Sequence, residues 1–168
     1  MNMSERENGN SPRPQSQTHM DTTYSWVARV HFSGKNEVTA YTGTHAFPIG
    51  KQASFTHTIH PTAVDYLLGA LGGDLLCGLQ TIASRRGVTI DEMEARVSGS
   101  LNNPLVFLGV IGEQGHPGLE AITCTLYVSA DVSEAVLQDL WRVALSRSPL
   151  VNTLQRCVEP SLSLQQIL

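Results

Sequence analysis

Residues 60–86 constrain the fold of this chain more than any other stretch. Leucines and one isoleucine recur there at spacings of one, three and four residues, which places them on one face of a helix: Leu67, Leu68, Leu71, Leu75, Leu79 and Ile82. Pro61 fits a first helical turn, Arg85 and Arg86 suit a last turn, and Gly87 is a common helix stop. The pattern predicts one long helix, the central element of a small α+β domain.

Glycine interrupts this predicted helix repeatedly, at Gly69, Gly72, Gly73 and Gly78. Each glycine costs up to about 1 kcal/mol relative to alanine in a helix interior. A helix tolerates that cost where another backbone approaches it closely, most often another helix. The glycines therefore predict that the helix packs against its symmetry mate in a homodimer.

Asp74 stands in the middle of the helix, at the border of the leucine face. Together with Cys77 and Thr81 it falls at positions i, i+3 and i+7, on one line beside the apolar residues. Two interpretations stay open at this point. Either the carboxylate reaches water or pairs with an arginine, or it lies at the mouth of a functional site.

Composition excludes several classes of protein. Charged residues make up 15% of the chain and the net charge is −4, so no basic field exists to attract nucleic acid or anionic lipid. The apolar runs are broken by glycines and Asp74, which argues against a membrane span, and no secretory signal is visible. The 3 cysteines are too few and too scattered for a disulfide framework or a zinc site. We expect a soluble cytoplasmic protein.

The order of elements gives the fold class. Residues 1–21 are polar and predict a flexible tail, and residues 22–168 form the predicted domain. Hydrophobic periodicity and turn signals predict a hairpin over residues 22–41 and a third strand over residues 44–49, followed by the long helix at 60–86. Two further strands are predicted over residues 91–101 and 119–130, then a second helix over 133–147 and a last strand over 158–167. Residues 105–111 are either extended chain or a packed loop. This order predicts an antiparallel sheet with two helices on one face.

Two motifs carry a resemblance to a known family. The helix PTAVDYLLGALGGDLLCGL, the segment SPLVNTL after the second helix and the order of elements together resemble the osmotically inducible protein C (OsmC) and organic hydroperoxide resistance proteins. The resemblance covers about residues 22–168. It implies an OsmC-like fold and an intertwined homodimer, with the long helices at its centre and two sites at the subunit interface.

In active members of that family, a peroxidatic cysteine lies on the long helix and a resolving cysteine lies just before a P-x-x-N-T-L segment. The pair reduces organic hydroperoxides through a thiolate, a sulfenic acid and a disulfide, without a further cofactor. Alignment on these motifs puts Asp74 at the peroxidatic position and Ser148 at the resolving position. Asp65 matches an acidic residue of the family's helix motif. Arg29 and Lys35 are the candidates for the arginine that holds the thiolate.

Chemistry separates the possible activities. Peroxide reduction requires a thiolate, which neither a carboxylate nor an unactivated serine replaces. Cys77 lies one turn beyond Asp74 and about 60° around the helix, so it is the possible substitute nucleophile, although a nearby carboxylate disfavours its thiolate form. Free cysteines are usually small buried hydrophobes, which we expect of Cys77, Cys124 and Cys157 alike.

Two further groups of residues give weaker evidence for a functional site. His45, His57 and His60 outline a metal site, but loop histidines without a carboxylate or cysteine at ligand spacing are usually ordinary surface residues, so we expect no metal. Asp74 and Ser148 would suit hydrolysis, but no histidine is placed to activate the serine.

Two functions from different classes remain. The first is a non-redox OsmC-like protein that binds an apolar ligand or a partner at a dimer-interface pocket around Asp65, Asp74 and Ser148. The second is a thiol-dependent organic hydroperoxide reductase that uses Cys77. Loss of both sulfurs at the family positions favours the first.

Overall fold

The computed structural model describes residues 24–34, 38–50 and 59–167, so the predicted tail at residues 1–21 lies outside the described residues. Within these ranges the structure has ten elements, in this order: β1 Arg29–Phe32, β2 Val38–Thr42, β3 His45–Ile49, α1 Ala63–Arg85, β4 Glu92–Leu101, α2 Pro104–Phe107, β5 Leu119–Ser129, α3 Glu134–Arg147, α4 Pro149–Leu154 and β6 Ser161–Ile167. The order confirms the predicted α+β class.

Helix α1 begins two residues later than the position of Pro61 predicts. Thr62 is the N-cap, and its hydroxyl accepts a hydrogen bond from the Asp65 N–H at 3.2 Å. The Asp65 carboxylate accepts in return from the Thr62 N–H at 2.8 Å and from the Thr62 hydroxyl at 2.7 Å. This reciprocal capping box satisfies donors that would otherwise be orphaned at the helix start, so Pro61 precedes the helix instead of entering it.

The core lies between the predicted leucine face of α1, one face of β5 and the inner face of α3. Strand β5 alternates as predicted, with Ile122, Cys124, Leu126 and Val128 buried, and α1 buries Leu71, Leu75, Leu79 and Ile82. Helix α3 adds Leu137, Leu140, Trp141 and Ala144. The period of 3.6 in the helices and of 2 in the strand thus brings three apolar faces into one cluster.

The central sheet has the order β4-β5-β6 and is mixed, so the predicted antiparallel sheet is wrong for one of its strand pairs. Strands β4 and β5 are antiparallel, but β6 runs parallel to β5. A parallel neighbour requires a crossover connection, and α3 with α4 supplies it between β5 and β6. Alternation within a strand reports its buried face and carries no information about the direction of its neighbour.

The glycines of α1 lie in different surroundings. A Cβ at Gly72 would lie 3.1 Å from Val97 Cγ2 and 3.3 Å from Ala95 Cβ, so this glycine lets β4 approach the helix. Within the described part of the chain, no atom lies within 4 Å of a Cβ built at Gly69, Gly73 or Gly78. Close approach to the helix backbone is therefore made by a strand at Gly72 and left open at the other three positions.

Strands β1, β2 and β3 form a separate antiparallel sheet that joins the start of α1. The Gly50 N–H donates to the Pro61 carbonyl at 2.8 Å, and the Tyr66 hydroxyl donates to the Pro48 carbonyl at 2.7 Å. Phe47 packs on the Tyr66 ring at a centroid distance of 5.0 Å. Strand β1 begins at Arg29, later than predicted, and all its residues are exposed.

Two proline segments fold into short helices. Residues 105–111, predicted as extended chain or loop, begin instead with α2, where Asn103 Oδ1 accepts from the Leu105 and Val106 N–H groups. Helix α3 ends at Arg147 as predicted, but Pro149 then occupies the first turn of α4. Proline fits that position because its missing N–H would have no partner inside the helix.

Helix α1 is long and apolar enough to cross a membrane by length and composition alone. One such helix is weak evidence for a membrane span, because the core helix of a soluble protein has the same length and composition. Here the apolar face of α1 packs on the central sheet and α3.

The capping box predicts a specific loss of stability. We expect Thr62→Ala to lower the free energy of unfolding by about 1 kcal/mol in a urea titration at pH 7. Ser133→Ala is the matched control, since Ser133 is the N-cap of α3 but makes no side-chain capping bond, and we expect its effect to stay below about 0.5 kcal/mol.

This loss should also depend on pH. Hydrogen bonds from the Thr62 hydroxyl and N–H lower the pKa of Asp65. Their stabilisation is present above the unfolded pKa, near 4, and is lost as the pH falls through the folded value. The difference between native protein and Thr62→Ala should therefore shrink below about pH 4. Equal effects of Thr62→Ala and Ser133→Ala at pH 7 would contradict the capping role.

Candidate functional site

Asp74 and Ser148, far apart in the sequence, meet in the fold. The Ser148 hydroxyl donates a hydrogen bond to Asp74 Oδ2. Asp74 is half-buried at the middle of α1, and Ser148 is 5% exposed between α3 and α4. The two positions that the family resemblance singles out are thus in direct contact within one chain.

The SPLVNTL segment holds Ser148 in place. Ser148 is the N-cap of α4, and its hydroxyl oxygen accepts from the Val151 N–H at 2.9 Å while its proton goes to Asp74. Asn152 Nδ2 donates to the Ser148 carbonyl at 2.7 Å and to the Leu145 carbonyl at 3.3 Å. These bonds fix both the backbone and the hydroxyl of Ser148, which makes the residue a rigid support for the carboxylate.

A groove of about 240 Å³ opens beside this pair. Its walls are the side of α1 next to the leucine face and the end of α3, and its lining residues are Asp74, Cys77, Gly78, Thr81, Ile82, Arg85 and Arg147. The predicted line of Asp74, Cys77 and Thr81 therefore forms one wall. The Thr81 hydroxyl donates to the Cys77 carbonyl at 2.7 Å, so it is engaged within the helix.

Two arginines in this groove were missed from the sequence. Arg85 lies one further turn along the line of Asp74, Cys77 and Thr81. It is at position i+11 from Asp74, so the same helical spacing, followed one turn further, would have identified it. Arg147 directly precedes Ser148 and could have been found by that adjacency. The predicted candidates lie elsewhere: Arg29 stacks over the Tyr41 ring at 4.3 Å in the small sheet, and Lys35 falls outside the described residues.

The cysteines differ in exposure. Cys124 is buried as predicted, and burial raises the pKa of its thiol to about 11. Cys77 and Cys157 are exposed, so the expectation that they are buried is wrong for both. Cys77 lies outside the leucine face of α1, on the line of residues that runs beside that face, and this leaves it exposed. Its thiol belongs to the wall of the Asp74 groove.

Asp65 is not brought together with Asp74 and Ser148. It lies nine residues earlier in α1, about 13 Å along the helix axis, and its carboxylate is engaged in the capping box. It lines a second groove of about 460 Å³ between α1 and β4, together with Leu68, Gly69, Gly72, Gly73, Leu76, Ala95 and Val97. Of the three predicted binding residues, Asp74 and Asp65 therefore line different grooves, and Ser148 contacts Asp74 without lining either groove.

The histidines do not assemble in the part of the chain that the structure describes. His57 lies outside it, and His45 and His60 are exposed. In the described ranges, no group of three or more histidine, cysteine, aspartate or glutamate side chains could hold a metal ion.

Sequence comparison identifies the family. Residues 55–163, well over half of the chain, match the sequence profile of the family described as OsmC-like protein. The chain belongs to the OsmC family. A search of the curated proteins gives no match for this OsmC sequence.

Solved structures agree with this assignment at the level of the fold. The OsmC like protein from Mycoplasma pneumoniae is 21% identical with a TM-score of 0.69, covering 89% of this chain and 100% of its own. An organic hydroperoxide resistance protein from Elizabethkingia anophelis is 15% identical with a TM-score of 0.65, covering 88% and 100%. The organic hydroperoxide resistance protein OsmC from Legionella pneumophila is 11% identical with a TM-score of 0.62, covering 84% and 97%. The chain therefore has an OsmC-like fold over nearly the full length of these proteins.

The contact between Ser148 and Asp74 predicts a stability effect in this OsmC protein. Ser148→Ala leaves a half-buried carboxylate and the Val151 N–H without their partner, so we expect the free energy of unfolding to fall by about 1 to 3 kcal/mol. Ser146→Ala is the control, because Ser146 is exposed near the end of α3 and its hydroxyl donates only to the Val143 carbonyl. Urea unfolding measures both variants. Similar small losses in the two would mean that the Ser148 hydroxyl contributes nothing beyond a surface contact.

Proposed function

We propose that this OsmC protein is a non-peroxidatic member of its family that binds a small ligand in the groove beside Asp74 and Ser148. The hydrogen bond between these two side chains carries the proposal. On the family resemblance, Asp74 occupies the peroxidatic position and Ser148 the resolving position. An oxygen pair thus stands where the redox cycle requires two sulfurs.

The chemistry of the pair supports this function. Reduction of a hydroperoxide begins with attack of a thiolate on the O–O bond, which forms a sulfenic acid and releases an alcohol. The sulfenic acid then condenses with the second thiol to form a disulfide. A carboxylate and a hydroxyl perform neither step, and they stabilise one another by a charge-assisted hydrogen bond instead.

The groove has the composition of a binding site. It combines apolar surface at Ile82 and Gly78 with charged groups at Asp74, Arg85 and Arg147. A few converging polar groups on an apolar wall are typical of small-ligand sites. The groove lies over the rigid contact between α1 and the α3–α4 turn, so its polar groups are held in place by the core.

A second candidate function is reduction of organic hydroperoxides by Cys77. The observation that favours it is the position of Cys77, which is exposed and shares a groove with Asp74. Against it, the lining of the groove includes no second cysteine that could resolve a sulfenic acid. Such an enzyme would depend on an external thiol for every turnover.

Consumption of cumene hydroperoxide with dithiothreitol as reductant tests the two functions. We expect the purified protein to add nothing to the rate of dithiothreitol alone, because no thiol occupies the family positions. Cys77→Ser should behave like the native chain. Cys157→Ser is the matched control, since Cys157 is also exposed but does not line the groove. Turnover by the native protein that disappears in Cys77→Ser and persists in Cys157→Ser would overturn the non-peroxidatic function.

We also propose that the protein is a homodimer, as the family resemblance implies. Exposed aromatic side chains lie on the small sheet and on the residues just before it, including Phe32 of β1 at 60% and Trp26 at 76% exposure. Along α1, Gly69 and Gly73 have open space beside them and line the larger groove. Apolar surface of this extent is typical of a protein interface. A second copy would cover both regions.

The dimer predicts a face-specific effect of charge on β1. We expect Phe32→Glu to raise the dissociation constant of the dimer by about tenfold or more, measured by sedimentation equilibrium. His31→Glu is the control because His31 points to the opposite face of the same strand. A native protein that sediments as a monomer, or equal effects of the two substitutions, would contradict this interface.

Two further expectations belong to the same proposal. The three cysteines are all free in this chain, which supports a reducing, cytoplasmic location. Residues 22–168 are proposed as one OsmC-like domain, since the family match covers residues 55–163 and the fold match to the Mycoplasma pneumoniae protein covers 89% of the chain.

A further inference from the structure

We infer that the groove beside Asp74 takes a small oxyanion, a carboxylate or phosphate group, through Arg85 and Arg147. The inference deepens the proposed function, on which it rests, by naming the chemical class of the ligand. It starts from a convergence of two elements. Arg85 belongs to the last turn of α1 and Arg147 is the last residue of α3, yet both line the same groove of about 240 Å³.

Arg85 and Arg147 are available to a ligand, because the acidic partner on these helices, Asp139, is taken by two other arginines. Arg86 and Arg142, which lie close to them in sequence on the same two helices, both pair with the Asp139 carboxylate. That carboxylate is thereby engaged on both of its oxygens. Across residues 24–34, 38–50 and 59–167, no carboxylate forms an ion pair with Arg85 or Arg147.

A structural role at the helix ends explains only part of this arrangement. Cations in the last turn of a helix are favoured by the helix dipole, and this accounts for an arginine at each C-terminus. It does not account for two guanidinium groups from different helices on the walls of one groove. A guanidinium presents its donors in a planar fork that matches the oxygens of a carboxylate or a phosphate.

Asp74 sets the orientation of the ligand. Its negative charge repels an anion at its own end of the groove, so the oxyanion is expected at the arginine end. One of its oxygens is occupied by the Ser148 hydroxyl. Two guanidinium groups against one carboxylate leave the groove with net positive charge. Its volume of about 240 Å³ equals that of about eight liquid waters, which suits a head group and a short apolar body against Ile82.

Titration with three probes tests this site in the full-length protein. Benzoate presents a carboxylate, inorganic phosphate presents a phosphate, and benzamide is the uncharged analogue of benzoate. Binding is followed by NMR through the Nε–H signals of the arginines at fixed ionic strength. We expect benzoate or phosphate, but not benzamide, to shift the signals of Arg85 and Arg147, and the stronger of the two anions identifies the head group.

Substitutions then assign the contacts. Arg85→Gln and Arg147→Gln should each weaken anion binding by about tenfold or more, because each removes charge-assisted hydrogen bonds. Arg142→Gln is the matched control, since Arg142 is also an exposed arginine of α3 but pairs with Asp139. Backbone amide spectra of each variant verify its fold.

Several outcomes would overturn the inference. These are the absence of binding by both anions, equal binding of benzamide, unchanged affinity in both groove variants, or an equal loss in Arg142→Gln. The hydroperoxide assay on the same protein separates this result from the proposed function. Turnover that depends on Cys77 would refute the non-peroxidatic role, whereas the dependence of anion binding on Arg85 and Arg147 is measured independently of turnover.

Discussion

The packing of the α1 leucine face on β5 and α3 is the interaction on which the rest of the structure depends. Leu71, Leu75 and Leu79 are fully buried there, and each contributes about 1.5 to 3 kcal/mol by removal from water. Because this face is fixed, the remaining sides of α1 are fixed as well. One side carries Asp74 and Cys77 into a groove, and another carries Gly69 and Gly73 into a second groove.

The bond between Asp74 and Ser148 links this core helix to the turn between α3 and α4. Ser148 caps α4 and supports the carboxylate with the same hydroxyl, so a single side chain joins three helices. The family resemblance implies that these positions hold a redox pair of cysteines in active members. Here the Ser148 hydroxyl donates a hydrogen bond to the Asp74 carboxylate. On the proposed function, the fold would keep the geometry of its site while the chemistry of the site differs.

Much of this could be predicted from the sequence, because the strongest signals are periodic. The leucine spacing gave α1 and its buried face, and the alternation of residues 119–130 gave the buried side of β5. The direction of β6 could not be predicted, since strand alternation is the same in parallel and antiparallel neighbours. The capping box at Thr62 was hidden by Pro61, which also suits a helix start.

At the site, the two motifs predict Asp74 and Ser148 as site residues, but they do not show that the two side chains are in contact. Their contact depends on how α3 ends against α1, a tertiary relation that no local pattern reports. Exposure of Cys77 and Cys157 was mispredicted because general burial preferences for cysteine ignore which side of an element faces the core. In the sequence Arg85 has the pattern of a helix-end charge, and its place on the wall of the groove follows only from the fold.

The hydrogen-bond capacity of Ser148 has a consequence for selectivity. Its single proton goes to Asp74 and one of its lone pairs goes to the Val151 N–H, so the hydroxyl has no freedom to turn and donate to a bound molecule. In the proposed ligand site, Asp74 would then only accept hydrogen bonds. A molecule with oxyanions at both ends would be repelled there, whereas one with a donor opposite its oxyanion would fit. The groove would thus distinguish the two ends of an asymmetric molecule.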